Sequence, residues 1–301
     1  MSTPLTTSTK LPDFVPLRQG AFTRISRILS KDRLALFGSV LIILVLLAAV
    51  FGQWIAPYPL EGLGATNVPN RNLASSPEHW LGTDQLGRDI LSRILLGAKP
   101  ALSIALGVVA LAALIGIPLG AIAGYRGGWV DNVLMRITEI FQAFPPLLLA
   151  MVMVAILGPS LLNAGIALAI SWWPWYARLI RAEARSLRER SFVEAARSIG
   201  VPTWRILLRH ILRNSLTPVL VQATVDVGTV VLAAGSLAFI GLGAQPPEPD
   251  WGLMVAEGRG TIFTHWWIST FPGLAIFITV LGFNLLGDSL RDILDPRQVK
   301  R

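Results

Sequence analysis

Cysteine does not occur in this 301-residue chain, so neither a disulfide nor a thiolate metal site can form. Histidine is nearly as scarce. His79, His210 and His265 are scattered without ligand spacing, which argues against a metal centre. Charge is the third deficit: 15% of residues are Asp, Glu, Lys or Arg, against about 25% in an ordinary soluble domain. Two motifs are also missing. No G-x-x-x-x-G-K-[ST] phosphate loop is found, so the chain is not equipped to hydrolyse ATP. No H-E-x-x-H pattern or intramembrane histidine is found either, so no catalytic residue is assigned.

What the chain has instead is apolar length. Hydrophobic residues make up 53% of it, and six stretches approach the ~20 residues needed to cross a bilayer's hydrocarbon core. They are 34–55, 101–125, 133–157, 161–180, 216–242 and 267–286. The expected fold is an all-α integral membrane domain of six transmembrane helices over residues 34–287. A polar, basic segment (1–33) precedes it and a short tail (288–301) follows. The first stretch is too long and too late for a cleaved signal peptide, and reads as a retained anchor. Residues 56–99 read as a loop rich in Pro, Asn and Gly that ends in an amphipathic run, Arg88 to Leu96.

The net charge of +8 has a membrane explanation. With the N-terminus inside, 21 of the 26 Lys and Arg residues fall on the cytoplasmic side. Arg71, Arg88, Arg93, Lys99 and Arg259 are the five outside. This bias sets topology, predicts that both termini are cytoplasmic, and leaves no basic segment for nucleic acid. Trp54, Trp266 and Trp267 fall at outer span ends and Trp129 at an inner one, where indole rings favour the headgroup layer.

Within the spans, Gly116, Gly120 and Gly124 repeat every four residues, a helix face that lets another backbone approach closely. Pro118, Pro145-Pro146 and Pro174 are expected to kink their helices. The cluster Trp172-Trp173-Pro174-Trp175-Tyr176 reads as packing or interfacial anchoring. Asp226 falls mid-span, where an ionisable group costs roughly 3 kcal/mol unless compensated. It is a candidate pathway-lining residue meeting a cationic part of a solute, with a structural hydrogen-bond role as the alternative. Glu139 lies one turn from Arg136, as in an interfacial ion pair.

The most informative segment is the cytoplasmic loop 181–214. Ser191 with Glu194 three residues later forms a capping-box pattern that starts a helix at Phe192. Gly200 supplies a left-handed end and Pro202 blocks continuation. Thr203 is placed to cap a second helix from Trp204 to about Arg213. Ala195 and Ala196 lack bulk, so one side of the first helix can enter a groove on another protein, with Arg197 and its neighbours adding charge. An amphipathic loop resting on anionic lipid is the alternative.

Glu194-Ala195-Ala196 with Gly200 resembles the EAA loop of ABC importer permeases, the element that docks on their ATPase subunits. The resemblance extends along the chain. The run from His79 to Arg93 (H-W-L-G-T-D-Q-L-G-R-D-I-L-S-R) is similar to the segment before the second span of the dipeptide, oligopeptide and nickel permease family. Phe239 to Gly252 resembles that family's outer loop, and Gly282 to Pro296 its closing motif.

The resemblance is to the "C"-type subunit and implies the type I ABC importer permease fold, in the bacterial plasma (inner) membrane. It implies a heterodimer with a second homologous permease, two ATPase subunits that bind ATP and Mg²⁺, an extracytoplasmic solute-binding protein, and surrounding membrane lipid. No cofactor is implied for this chain itself. The ATPase-coupling residues are then Ser191, Glu194, Ala195, Ala196, Arg197, Gly200 and Pro202. Dipeptides, oligopeptides, glutathione-like compounds and nickel chelates are the implied solute classes. One departure stands out: Leu212 is followed by Arg213 where the motif commonly has proline. The second helix can therefore run on toward Pro218, continuous with the fifth span. A secondary transporter or channel, the main rival, needs coupling-ion residues in broken helices, and Asp226 is the one candidate.

Overall fold

The computed structural model describes residues 33–294. Residues 1–32 and 295–301, with most of the expected N-terminal segment and the end of the tail, lie outside the described residues. Among the described residues the regular elements are helices, and β pairing is limited to an isolated bridge between Thr83 and Asp89. Nine helices of eight residues or more among the described residues form the frame: α1 (Arg33–Ile55), α2 (Ile90–Arg126), α3 (Gly128–Gln142), α4 (Pro146–Leu157), α5 (Leu161–Arg188), α6 (Ser191–Ser198), α7 (Thr203–Phe239), α8 (Trp251–Gly258) and α9 (Trp267–Leu294).

Four of these, α1, α2, α7 and α9, are long and apolar enough to cross a membrane. A fifth crossing is available if α3 and α4, bent by 80° about their junction, count as one broken span. Pro145 and Pro146 cause that break. Neither has an N–H to donate to a helix, and Pro146 opens α4 where a missing donor costs nothing. Pro118 and Pro174, expected to kink their helices, lie inside α2 and α5, which run through them. The expected span 161–180 is the first part of α5, where Asn163, Ser171, Pro174 and Arg178 dilute the apolar run.

Other boundaries move as well. The amphipathic run from Arg88 and the second span are one helix, α2, whose first turn is capped by the Asp89 carboxylate accepting from Ser92 N–H at 2.8 Å. The segment 56–89 is compactly folded rather than loose, and α9 continues past the expected end of the last span to Leu294. At about 1.5 Å per residue, the 37 residues of α2 span roughly 55 Å, so its two ends belong to opposite ends of the molecule.

The core runs along α2, α5 and α7. A Cβ on Gly116 would strike the Trp173 carbonyl, one on Gly120 the Ala177 carbonyl, and one on Gly124 the Arg181 carbonyl. The four-residue glycine repeat is therefore the face on which α2 meets α5. Trp172, Trp173 and Tyr176 are buried in this region while Trp175 is exposed. Gly38 and Gly52 seat α1 against α9 and α2, and its opposite side carries exposed Leu, Ile, Val and Phe residues.

Candidate functional site

Between α5 and α7 the chain leaves the bundle, forms the short helix α6, turns and returns. The capping box expected of Ser191 and Glu194 is not formed. Arg190 is the cap residue, α6 starts at Ser191, and no side chain satisfies its first N–H groups. Thr203 likewise opens α7 without capping it, with Pro202 before it. The turn itself follows the sequence. Gly200 adopts φ +75°, and the Val201 N–H reaches back to the Ala196 carbonyl at 3.0 Å. The second helix does not stop near Arg213. It passes through a π-helical turn, Leu207–Leu212, and continues to Phe239. No proline interrupts it until Pro218, which the helix accommodates.

The two alanines separate. Ala196, 7% exposed, packs inward with Val193 on a small core of Tyr125, Ala184, Ile206 and Ile211. That core joins the loop to the ends of α2, α5 and α7. Ala195 faces outward with Ser191 and Glu194, flanked by exposed Phe192 and by Ile199, which is 80% exposed. So one alanine anchors the helix and the other clears its outer surface. Pro202, Trp204 and Leu208 are exposed too. Arg197 places its guanidinium 5.7 Å from the Tyr125 ring centre, and Arg205 does the same over Trp204 at 5.2 Å. A further tie runs from α5 to α3, where Arg181 donates to both carboxylate oxygens of Asp131, one at 2.6 Å.

Asp226 lies mid-helix in α7 and is only 6% exposed. Gln222 Nε2 donates to its Oδ1 at 3.0 Å. Among the described residues its Oδ2 has no partner at bonding geometry, nor has the buried Tyr176 hydroxyl, which lies near it across the α5–α7 contact. Trp172 completes the surround. The carboxylate is thus enclosed by its own chain and does not stand on an open surface. Arg136 and Glu139 pair at 3.1 Å and are both exposed.

At the other end of α2 lies a cluster that sequence reading missed. Asp84 Oδ2 accepts from Arg88 Nε at 2.6 Å and from Arg93 at 2.8 Å. Glu257 of α8 accepts from the same two arginines at 2.9 and 2.8 Å. His79 Nδ1 is 2.9 Å from Asp89, whose other oxygen caps α2. Nearby, burial pushes the Asp250 carboxyl above its usual range, against the pull of the Leu253 and Gly252 N–H groups. Arg88 and Arg93 did carry one signal: they are cations in a segment otherwise depleted of them.

Comparison with known proteins fits this geometry. Residues 116–300 match the family model described as "Binding-protein-dependent transport system inner membrane component". Residues 21–75 match the "N-terminal TM domain of oligopeptide transport permease C". The chain is 45% identical over 269 residues to the probable D,D-dipeptide transport system permease protein DdpC of Escherichia coli K12, covering 89% of each. It is 46% identical to the dipeptide transport system permease protein DppC of Alkalihalophilus pseudofirmus, covering 89% of this chain and 88% of that one. To the glutathione transport system permease protein GsiD of an Escherichia coli O6:K15:H31 strain it is 45% identical over 267 residues, covering 89% and 88%. A chain from the inward-facing MetNI methionine ABC transporter shares the fold, with a TM-score of 0.55 and 20% identity over 67% of this chain and 97% of that one. From the glycine-seated bundle to the loop that leaves it, the chain belongs to the family of binding-protein-dependent transport system inner membrane components.

Proposed function

We propose that this chain is the transmembrane permease subunit of an ATP-driven importer of short peptides or a chemically similar small solute, and that α6 is its coupling element. The observation that carries the reading is the divided construction of α6. Val193 and Ala196 fix the helix to the ends of α2, α5 and α7, while Phe192, Ala195 and Ile199 are left uncovered. A surface that is bound firmly to the bundle yet open to solvent suits a partner that pushes on it.

In this reading the chain crosses the inner membrane six times, with α5 as one crossing and α3–α4 as another, and both termini are cytoplasmic. It pairs with a second, homologous permease to enclose the pathway and receives solute from an extracytoplasmic binding protein. Two ATPase subunits bind ATP and Mg²⁺. Nucleotide binding shifts the bundle between inward-open and outward-open states through its different affinity for the two. The residues that take the load are Ser191, Glu194, Ala195, Ala196, Arg197, Gly200 and Pro202. Dipeptide and glutathione permeases among the relatives support a solute with peptide-like polarity.

The burial of Asp226 supports the hydrogen-bonding role over the pathway role in this conformation. A pathway role requires a state that opens the cluster, and a changed solute preference in Asp226→Asn would be its sign. The whole reading is tested by affinity purification followed by uptake of labelled di- and tripeptides into proteoliposomes. A stoichiometric ATPase, a second permease and ATP-dependent uptake are expected. Uptake by this chain with no ATPase present would instead favour a secondary transporter or channel.

A further inference from the structure

Between the coupling loop and the inner ends of α2 and α5 there is a cavity of about 460 Å³. Tyr125, Arg126, Arg188, Glu189, Arg197 and Thr203 are among the residues that line it. Three arginines and one carboxylate therefore share its wall. That carboxylate, Glu189, is taken by Arg188, with donors at 2.8 and 2.9 Å. Arg188 also donates to the Tyr125 carbonyl at 3.3 Å, which fixes it in the wall. Arg126 and Arg197 have no carboxylate within ion-pairing distance among the described residues. Contact of Arg197 with the Tyr125 ring orients its guanidinium without neutralising it. The cavity is left with an excess of two positive charges and a Thr203 hydroxyl.

Its position is equally specific. At 100° per residue, Arg197 falls on the flank of α6 opposite Phe192 and Ile199, so it is not on the uncovered apolar flank. Trp129, three residues after Arg126, is 77% exposed, as expected of an indole in the headgroup layer.

We propose that this cavity binds the phosphate of an anionic phospholipid headgroup from the cytoplasmic leaflet and ties the root of the coupling loop to the membrane surface. Guanidinium groups match phosphate oxygens in charge and in forked geometry. The leaflet named here rests on the orientation proposed above, but the binding itself does not depend on which solute is carried.

The test uses the complete transporter in nanodiscs of equal parts phosphatidylglycerol and phosphatidylcholine, with lipid retained after release counted by native mass spectrometry. The wild type should hold phosphatidylglycerol in preference. Arg126→Gln should weaken that retention about fivefold, the effect of one basic group near an anionic surface, and Arg126→Lys, which keeps the charge and loses the fork, should restore part of it. Arg136→Gln, an exposed arginine away from the cavity, should change nothing. Equal retention by Arg126→Gln and the wild type overturns the proposal. Displacement of the lipid by millimolar inorganic phosphate overturns it in favour of a soluble phosphate. A cross-link filling the cavity with an ATPase carboxylate overturns it in favour of a protein contact. Co-purified ATPase, weighed in the same spectra, reports separately on the importer reading, and melting temperatures confirm that each variant is folded.

Discussion

Arg93 and Arg88 sit at one end of α2, 1% and 2% exposed, each bound to both Asp84 and Glu257. Arg126 and Arg197 sit at the other end, exposed and, among the described residues, without carboxylate partners, while Phe192 and Ile199 are uncovered on the opposite flank of α6. The first end satisfies its charges internally, fastening the segment before α2 to α8. The second spends its burial on a few residues, Val193, Ala196, Ile206 and Ile211, and leaves the rest of its surface open. The contrast is between an end whose rigidity comes from its own buried ion pairs and an end whose open surface fits the docking role proposed for α6.

The largest expected effect breaks the self-contained end. Arg93→Met removes one cation from a buried cluster and leaves Asp84 and Glu257 under-compensated. The expected loss is about 3–5 kcal/mol, read as a fall in thermal unfolding temperature in detergent. Next is Gly120→Leu, in the wall that joins the two ends. Its side chain must displace the Ala177 backbone, at a cost of about 1–3 kcal/mol by overpacking, and a melt as high as the wild type's would show the α2–α5 seat to be looser than described. Gly200→Ala at the open end forces a side chain into positive φ. A loss of about 1 kcal/mol is expected, with coupled ATP-driven uptake falling alongside it. Smallest is Arg136→Ala. Its exposed pair with Glu139 should be worth no more than about 1 kcal/mol, and a value near that of Arg93→Met would erase the distinction between buried and surface pairs.

Much of this was legible beforehand because it depends on local sequence. Apolar runs of bilayer length marked α1, α2, α7 and α9, Pro145-Pro146 marked the break between α3 and α4, and Gly200 marked the turn after α6. The missing proline at Arg213 correctly pointed to one helix from the loop into the fifth span. Features set by distant partners were not legible. Arg93 meets Glu257 across 164 residues, and no periodicity links them. Ser191 and Glu194 satisfy the capping pattern on paper, yet Arg190 takes the cap position in the folded loop. Adjacent letters also hid opposite roles, since Ala195 and Ala196 look identical in sequence and only the underlying core of Tyr125 and Ile211 divides them.

The outward flank of α6 is tested most directly by Ala195→Trp in the reconstituted importer, with unfolding and ATP-driven uptake measured on one preparation. The substitution sits on an exposed surface, so stability should stay within about 0.5 kcal/mol of the wild type. Uptake should fall by at least about tenfold, the equivalent of roughly 1.4 kcal/mol of lost docking. Full uptake from a folded Ala195→Trp transporter would contradict the account.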